Sequence, residues 1–238
     1  MKIVCSGDWH LDAVTAGVER FDEVAAAVAT VVEAAVQPDV DLFAFLGDLC
    51  NPESPRAWRA VRFGQWVVQQ LELVHSNRTR VQSLWLVGNH DVVEDGCGSS
   101  TLLPLTAFIE EVIDGPMKFD IAGVDVVGLP CTSRVAPYDP GEFVRANCGK
   151  RPLVVLSHLS LHAAQPGSES ADMARGREVF LPARELQLLG VPVTVLNGHY
   201  HKRQTVLEDG LEVQCVGSLA RLTRGERDNS PAFLVVEV

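Results

Sequence analysis

Short, uniformly apolar runs separated by longer amphipathic stretches dominate the first part of the chain. Lys2 to Ser6 reads as a buried strand that leaves through Gly7-Asp8-Trp9-His10. From Val18 to Val36, the residues Val18, Phe21, Val24, Val28, Val31 and Ala35 recur at helical spacing, and Glu19, Arg20, Asp22 and Glu23 fall on other faces. That pattern predicts an amphipathic helix. Leu42 to Leu46 predicts a second strand, ending at Gly47-Asp48-Leu49-Cys50. Pro55 suits the first turn of a helix, and Ala60, Phe63, Val67, Leu71 and Val74 continue its stripe. Leu84 to Val87 is the next apolar run, and Gly88-Asn89-His90-Asp91 follows it.

The pattern then changes. After a Gly/Ser-rich loop, Gly96 to Ser100, a helix is predicted from Leu102 to about Val112. Phe119-Asp120-Ile121 and Val124-Asp125-Val126 flank Ala122-Gly123 and predict a hairpin whose second strand runs to Leu129. Leu153 to Ser157 and Val193 to Asn197 are buried strands, ending at His158 and at Gly198-His199-Tyr200-His201. Asp209-Gly210 marks a second hairpin, and Ala232 to Val238 a last strand. Crossover helices early and hairpins late predict an α/β fold with mixed sheets covered by helices. Sheets of that kind bring strand ends to one edge, where ligand sites form.

Composition narrows the setting. The 238 residues suffice for one sizeable core, and no linker divides them, so a single domain is expected. Apolar runs of strand length offer neither a membrane span nor a secretory signal. The six cysteines form no Cys-x-x-Cys pair and fit free thiols, which suggests a reducing, cytoplasmic setting. A net charge of -11 argues against a surface built generally for nucleic acid or anionic membrane. It leaves room for a phosphate substrate, because bound divalent cations reverse the field locally.

The strand ends carry the chemistry. Five apolar runs end in residues that can hold metal: Asp8 with His10, Asp48, Asn89 with His90 and Asp91, His158, and His199 with His201. Of seven histidines only His75 and His162 lie elsewhere. In an extended segment, alternate side chains point the same way, so Asp8-x-His10 and His199-x-His201 can each grip one site. Three carboxylates, an amide and five imidazoles exceed the needs of one tetrahedral zinc. Two divalent cations with mixed oxygen and nitrogen ligands, sharing Asp48, fit better. Such a pair, about 3.5–4 Å apart, suits phosphate-ester hydrolysis. Trp9 has two readings, stacking on a base or packing beneath its own loop.

Taken in order, Asp8-x-His10, Gly47-Asp48, Gly88-Asn89-His90-Asp91, His158 and Gly198-His199-x-His201 resemble the five motifs of the calcineurin-like metallophosphoesterases, spread over nearly the whole chain. The resemblance implies a four-layer α-β-β-α sandwich, two mixed sheets between helices. It implies Asp8, His10, Asp48 and His201 on one metal and Asp48, Asn89, His158 and His199 on the other. His90 would stand beside the metals as proton donor or transition-state stabiliser, with Asp91 orienting it. Manganese is the first expectation for the cation pair, with iron, zinc or magnesium as alternatives.

A finer resemblance is to nuclease subunits of the SbcD kind, which act in double-strand-break repair, including phage-encoded relatives. It rests on Asp8-Trp9-His10-Leu11, on Gly198-His199-Tyr200-His201-Lys202, and on Gly217-Ser218 with Phe233 to Val238. It implies DNA as substrate, with an SbcC-like ATPase partner and a homodimer as further expectations. Cys50-Asn51 departs from the acidic sequence often found after the second motif, and 1–238 is expected to be a catalytic domain without capping domain or ATPase-docking helices. The alternatives are a small-molecule phosphodiesterase or phosphomonoesterase, for instance on cyclic nucleotides, and a non-catalytic metal-binding module. Arg175 with Arg177, and Lys202, Arg203, Arg221, Arg224 and Arg227, could track a phosphate backbone or form a solvated face balanced by Glu178, Glu226 and Asp228.

Overall fold

The computed structural model describes residues 1–75, 82–93, 99–107, 111–131, 138–165 and 179–238, the side chains of 73–75 excepted. Its elements alternate at first: β1 (Lys2–Ser6), a small hairpin of β2 (Val14–Thr15) and β3 (Val18–Glu19), α1 (Phe21–Ala35), β4 (Leu42–Phe45), α2 (Ala57–His75) and β5 (Gln82–Leu86). Then come β6 (Glu111–Ile113), β7 (Met117–Ile121), β8 (Val124–Leu129), α3 (Pro140–Asn147), β9 (Leu153–Ser157), α4 (Ala183–Leu188), β10 (Val193–Asn197), β11 (Gln204–Glu208), β12 (Leu211–Cys215) and β13 (Leu234–Glu237).

They form two mixed sheets. One has the order β13-β1-β4-β5-β6, with β13 antiparallel and the rest parallel. The other has the order β11-β12-β10-β9-β8-β7, antiparallel at both flanks and parallel within. Period-two alternation assigns each side chain a layer. In β1, Val4 faces a core shared with Val24, Val28 and Val31 of α1 and Val67 and Leu71 of α2. Ile3 and Cys5 face the opposite way, into a core shared with Val126, Val154, Leu156 and Leu196 of the second sheet. On that sheet's outer face, Val127, Val155, Val195 and Val213 pack with Val144 of α3 and Leu186 of α4. The result is the four-layer α-β-β-α sandwich expected from the resemblance.

Parallel order places the exits of β1, β4 and β5 on one edge of the first sheet, and those of β9 and β10 on one edge of the second. The sheet-to-sheet core holds these edges together. All five motif loops therefore open at a common rim.

Some expectations need correction. The helix predicted from Val18 begins at Phe21, because Val18 and Glu19 pair with Val14 and Thr15 around an Ala16-Gly17 turn whose φ values are 52° and 84°. Among the described residues of the helix predicted from Leu102 to Val112 there is a 3-10 turn, Leu103–Leu105, and then the start of β6, which pairs in parallel with β5, while 108–110 lie outside the described residues. Pairing at a free sheet edge outweighs the local apolar spacing there. The Gly96 to Ser100 loop lies partly outside the described residues. Helices α3 and α4 carry no sequence expectation, although Asp139-Pro140-Gly141-Glu142 is a legible start: Asp139 Oδ1 accepts from Glu142 N at 3.0 Å and Pro140 occupies the first turn.

Candidate metal centre

The first sheet supplies the oxygen donors. Asp8 and His10 follow β1, Asp48 follows β4, and Asn89 follows β5. Backbone hydrogen bonds lace these exits together: Asp8 N to Gly47 O at 2.9 Å, His10 N to Asp48 O at 3.0 Å and Leu11 N to Leu49 O at 3.0 Å. The price of bringing them so close is unusual backbone. Asp8, His10, Asp48 and His199 have φ of 51°, 41°, 63° and 72°, a region that residues other than glycine seldom adopt. The other described non-glycine residues with positive φ, Ala16, Ala122 and Asp209, each precede the glycine of a hairpin turn. Among the described non-glycine residues, positive φ outside hairpin turns is thus confined to the candidate ligands, as at sites where geometry is imposed by the surroundings.

Two motif glycines are required by proximity. A Cβ on Gly88 would lie 2.2 Å from Asp48 Oδ1, and one on Gly198 would lie 2.4 Å from Leu46 O. Gly88 lets the Asp48 carboxylate pass against the chain, and its carbonyl accepts from Asp91 N at 3.2 Å, closing the turn that follows.

Ligand atoms from both sheets converge. His10 Nε2 and His158 Nε2 lie 3.5 Å and 3.4 Å from the same oxygen, Asp48 Oδ2. On one side of it His10 Nε2 is 3.0 Å from His201 Nε2. On the other, Asn89 Oδ1 is 2.9 Å from His158 Nε2 and 3.0 Å from His199 Nδ1. The candidate atoms of Asp8, His10 and His201 lie within 4.8 Å of one another, as do those of Asp8, Asp48 and His158. Asp8 therefore approaches both groups, and its Oδ1 accepts from His199 N at 3.0 Å.

Donor chemistry indicates what belongs between these atoms. His158 Nδ1 lies 2.6 Å from Leu46 O, and a carbonyl can only accept, so Nδ1 carries a proton. In the neutral ring Nε2 is then a lone pair, and it faces a carbonyl oxygen and a carboxylate. Burial lowers the His158 pKa, but the Asp48 charge and hydrogen bond, the Asp8 charge and the Leu46 carbonyl outweigh it and raise it to about 9. That position calls for positive charge, which a divalent cation supplies. Burial and then the His158 charge bring His199 down to about 3, so its ring is neutral and able to ligate. Burial likewise keeps His10 neutral. Burial pushes the Asp48 carboxyl up, yet the imidazoles around it, His158 first and His90 next, hold it well below the usual carboxylate range. The residues present therefore fit a cation pair, with the two groupings around Asp48 as the places that would hold it.

His90 stands apart from those atoms. Its amide donates to Asp48 Oδ1 at 2.8 Å, and its ring meets the His10 ring edge-on at 5.0 Å. Asp91 does not orient it, contrary to expectation. The Asp91 carboxylate is fully buried, and each oxygen accepts from two donors: Oδ1 from Leu49 N at 2.9 Å and Thr101 Oγ1 at 2.6 Å, Oδ2 from Asp48 N at 2.8 Å and Gly88 N at 3.0 Å. With four donors its acceptor capacity is filled. Asp91 is the brace that locks the Asp48 loop to the Asn89 loop.

The second sheet has its own brace, which sequence reasoning missed. Asn197, buried at the end of β10, accepts from the Ser157 hydroxyl and from Leu159 N, and donates to Leu159 O at 3.1 Å and Gly198 O at 2.7 Å. It ties the His158 exit to the His199 exit. A lone asparagine at a strand end gives little warning of this in sequence. Trp9 proves to be core: it is fully buried, packs on Phe45 and Trp85 at 4.6 and 5.9 Å between ring centroids, and donates to Ser6 Oγ at 2.9 Å. His162 stacks on Phe180, away from the ligand atoms. Of the basic residues, Arg175 and Arg177, with Glu178, lie outside the described residues. Lys202 donates to Gln165 Oε1 and Arg221 to Asn229 O, while Arg227 pairs with Asp228.

Comparison with known proteins agrees with this arrangement. Residues 1–203 match the family described as calcineurin-like phosphoesterase. Among curated proteins none matches at a significant level. Among solved structures, the chain is similar to a dimetal phosphatase from Danio rerio, at 12% identity and a TM-score of 0.59, covering 99% of this chain and 91% of that one. It is also similar to the phosphopantetheinyl hydrolase PptH from Mycobacterium tuberculosis, at 15% identity and a TM-score of 0.46, covering 99% and 95%. An archaeal phosphodiesterase matches at 14% identity and a TM-score of 0.43, covering 99% and 100%. At 12% identity the likeness to the Danio rerio phosphatase is one of fold.

Proposed function

The chain belongs to the calcineurin-like phosphoesterase family and is a metal-dependent phosphoesterase, and from that premise we propose that it hydrolyses small phosphate esters at a two-cation site. The observation that carries the reading is Asp48 Oδ2, within 3.5 Å of an imidazole nitrogen on each side, at the meeting of both sheets. When bound, two divalent cations there neutralise phosphate charge and lower the pKa of a water. The chain's own residues do the rest. Asp8, His10 and His201 would hold one cation; Asn89, His158 and His199 the other; Asp48 would join them. His90, fixed through its amide, would give a proton to the leaving oxygen.

A small substrate is favoured over a nucleic acid by the net charge of -11, by the burial of Trp9 and by the pairing of Lys202, Arg221 and Arg227 within the protein. The Danio rerio dimetal phosphatase, alike in fold, agrees with it. A second reading, DNA cleavage of the SbcD kind, is supported by the exposed Arg203 and Arg224, which lie on segments that meet at His201 and Glu226.

One panel separates the two: chromogenic phosphate mono- and diesters beside linear DNA, each with manganese, magnesium or zinc, using the native chain and His90→Ala. The expected result is turnover of small esters that falls about a hundredfold or more in His90→Ala, most for poor leaving groups. Digestion of DNA with no turnover of any small ester would replace the first reading by the second.

A further inference from the structure

We propose that Glu226 is a positioning residue that holds His201 in the one tautomer able to offer Nε2 to a cation, an inference that rests on the two-cation reading above. Glu226 is 1% exposed and ends the 3-10 turn Arg224–Glu226, 25 residues after His201 and beyond the family match over 1–203. Its Oε1 lies 3.0 Å from His201 Nδ1. An ionised carboxylate only accepts, so the proton sits on Nδ1. The lone pair is then on Nε2, across the ring, where it faces His10 Nε2 at 3.0 Å.

The same task at His158 falls to a backbone oxygen, Leu46 O at 2.6 Å, which no substitution can remove. At His201 it falls to a side chain, so it can be tested. Outer partners of this kind orient a ligating imidazole and raise its basicity.

The carboxylate is itself held in place. Oε2 accepts from Leu222 N at 2.8 Å, and Oε1 also accepts from Thr223 Oγ1 at 3.1 Å. The Leu222 carbonyl in turn accepts from Thr15 Oγ1, at the hairpin after the His10 loop. This fixes what Glu226→Gln does. If the amide oxygen stays on Leu222 N, the amide N–H group points at His201 Nδ1 and demands the opposite tautomer, with Nε2 protonated. If the amide turns round, two donors meet at Leu222.

Manganese titration by calorimetry tests the proposal on the full chain, with spin-coupled manganese pairs followed by electron paramagnetic resonance. The native chain is expected to bind two equivalents. Glu226→Gln should weaken one of them about ten- to hundredfold, leave the other unchanged, and replace the coupled signal by that of isolated ions. Arg227→Ala, which removes the exposed neighbour of Glu226 that pairs with Asp228 and leaves the imidazole contact in place, should leave both affinities unchanged. Equal affinities in native and Glu226→Gln proteins would overturn the proposal, and so would equal weakening of both equivalents accompanied by a lower melting temperature of the metal-free protein. Fewer than two equivalents on the native chain would overturn the two-cation reading itself and the proposal with it. Long-range proton–nitrogen NMR of the metal-free native chain, at a pH where the ring is neutral, needs no variant: a proton on His201 Nδ1 is expected, and a proton on Nε2 would overturn the proposal.

Discussion

Asp125 and Asp48 are each 1% exposed, yet the protein surrounds them differently. Asp125 is the second residue of β8, at the end of the sheets away from the candidate metal centre. It takes Lys118 Nζ at 2.8 Å and the Arg151 guanidinium. The Lys118 hydrogen bond first, and that of Arg151 after it, lower its pKa despite its burial. At the site end, the described partners of Asp48 and Asp91 are amides, a hydroxyl and imidazoles, with no lysine or arginine among them. Burying a charge costs several kcal/mol unless it is paired. At one end of the molecule the chain supplies lysine and arginine; at the other it supplies imidazoles, which can give up their protons to ions from solution.

The most severe way to break this contrast is Asp48→Asn, which removes the shared carboxylate. Because several kcal/mol of charge stabilisation depend on the cations, turnover should fall by about a thousandfold or more, and bound manganese should drop from two equivalents to nearly none. Retention of both ions with normal turnover would show that Asp48 is not shared. Next in size is the effect of metal on the native fold. At a hundredfold excess over Kd, each bound ion should add about 2.7 kcal/mol to unfolding free energy, read from urea midpoints with and without chelator. Asp48→Asn should lose that gain and Asp125→Asn keep it. A gain of equal size in both variants would sink the contrast.

Much of this was legible in sequence because two periods and five loops carry it. Period-two alternation in the strands and the stripe through Val24, Val28 and Val31 suffice for the layers, and the loops ending in Asp8, Asp48, Asn89, His158 and His199 suffice for the site. What was not legible depends on contacts far apart in the chain. Nothing local distinguishes Asp91 as an orienter of His90 from Asp91 as a brace for Asp48, which stands 43 positions away. Glu226 lies among exposed charges and reads as one more of them, because only the fold brings it to His201. The left-handed backbone at His10 and His199 is likewise set by the neighbouring strand exits, since histidine adopts it only occasionally on its own. The helix expected from Leu102 to Val112 fails for the complementary reason, since at Glu111 and Val112 the helical spacing yields to the open edge of β5.

Asp91→Asn probes the site end without replacing a candidate ligand. An amide keeps one oxygen and turns its N–H group toward two of the four donors now served, Leu49 N and Thr101 Oγ1 or Asp48 N and Gly88 N. Leaving buried donors unmet should cost about 2 kcal/mol, and turnover should fall with it as the Asp48 loop loosens. Urea unfolding of the chelated protein isolates the stability effect. No loss there would mean that the four bonds are not what holds the two loops together.

The smallest effect, at Asp125, gives the contrast a sign. A carboxyl whose folded pKa is lowered contributes stability that is present above its unfolded value, about 3.9, and is lost as pH falls through the folded value. Asp125→Asn should therefore cost about 1 kcal/mol at neutral pH, since its partners are 31% and 39% exposed and water screens them, and should flatten the acid side of the stability curve. Asp91 runs the other way. Burial and the neighbouring Asp48 charge raise it to about 6 against the pull of its donors. Its folded form then takes up a proton before the unfolded form does, and the chelated protein gains relative stability as pH falls from about 6 toward 4. Urea midpoints of chelated Asp91→Asn from about pH 6 to 4, and of chelated Asp125→Asn below about pH 4, should bend in opposite directions from the native curve. If both bend the same way, the two ends of the molecule do not treat buried charge differently, and the site end has no special need of an external cation.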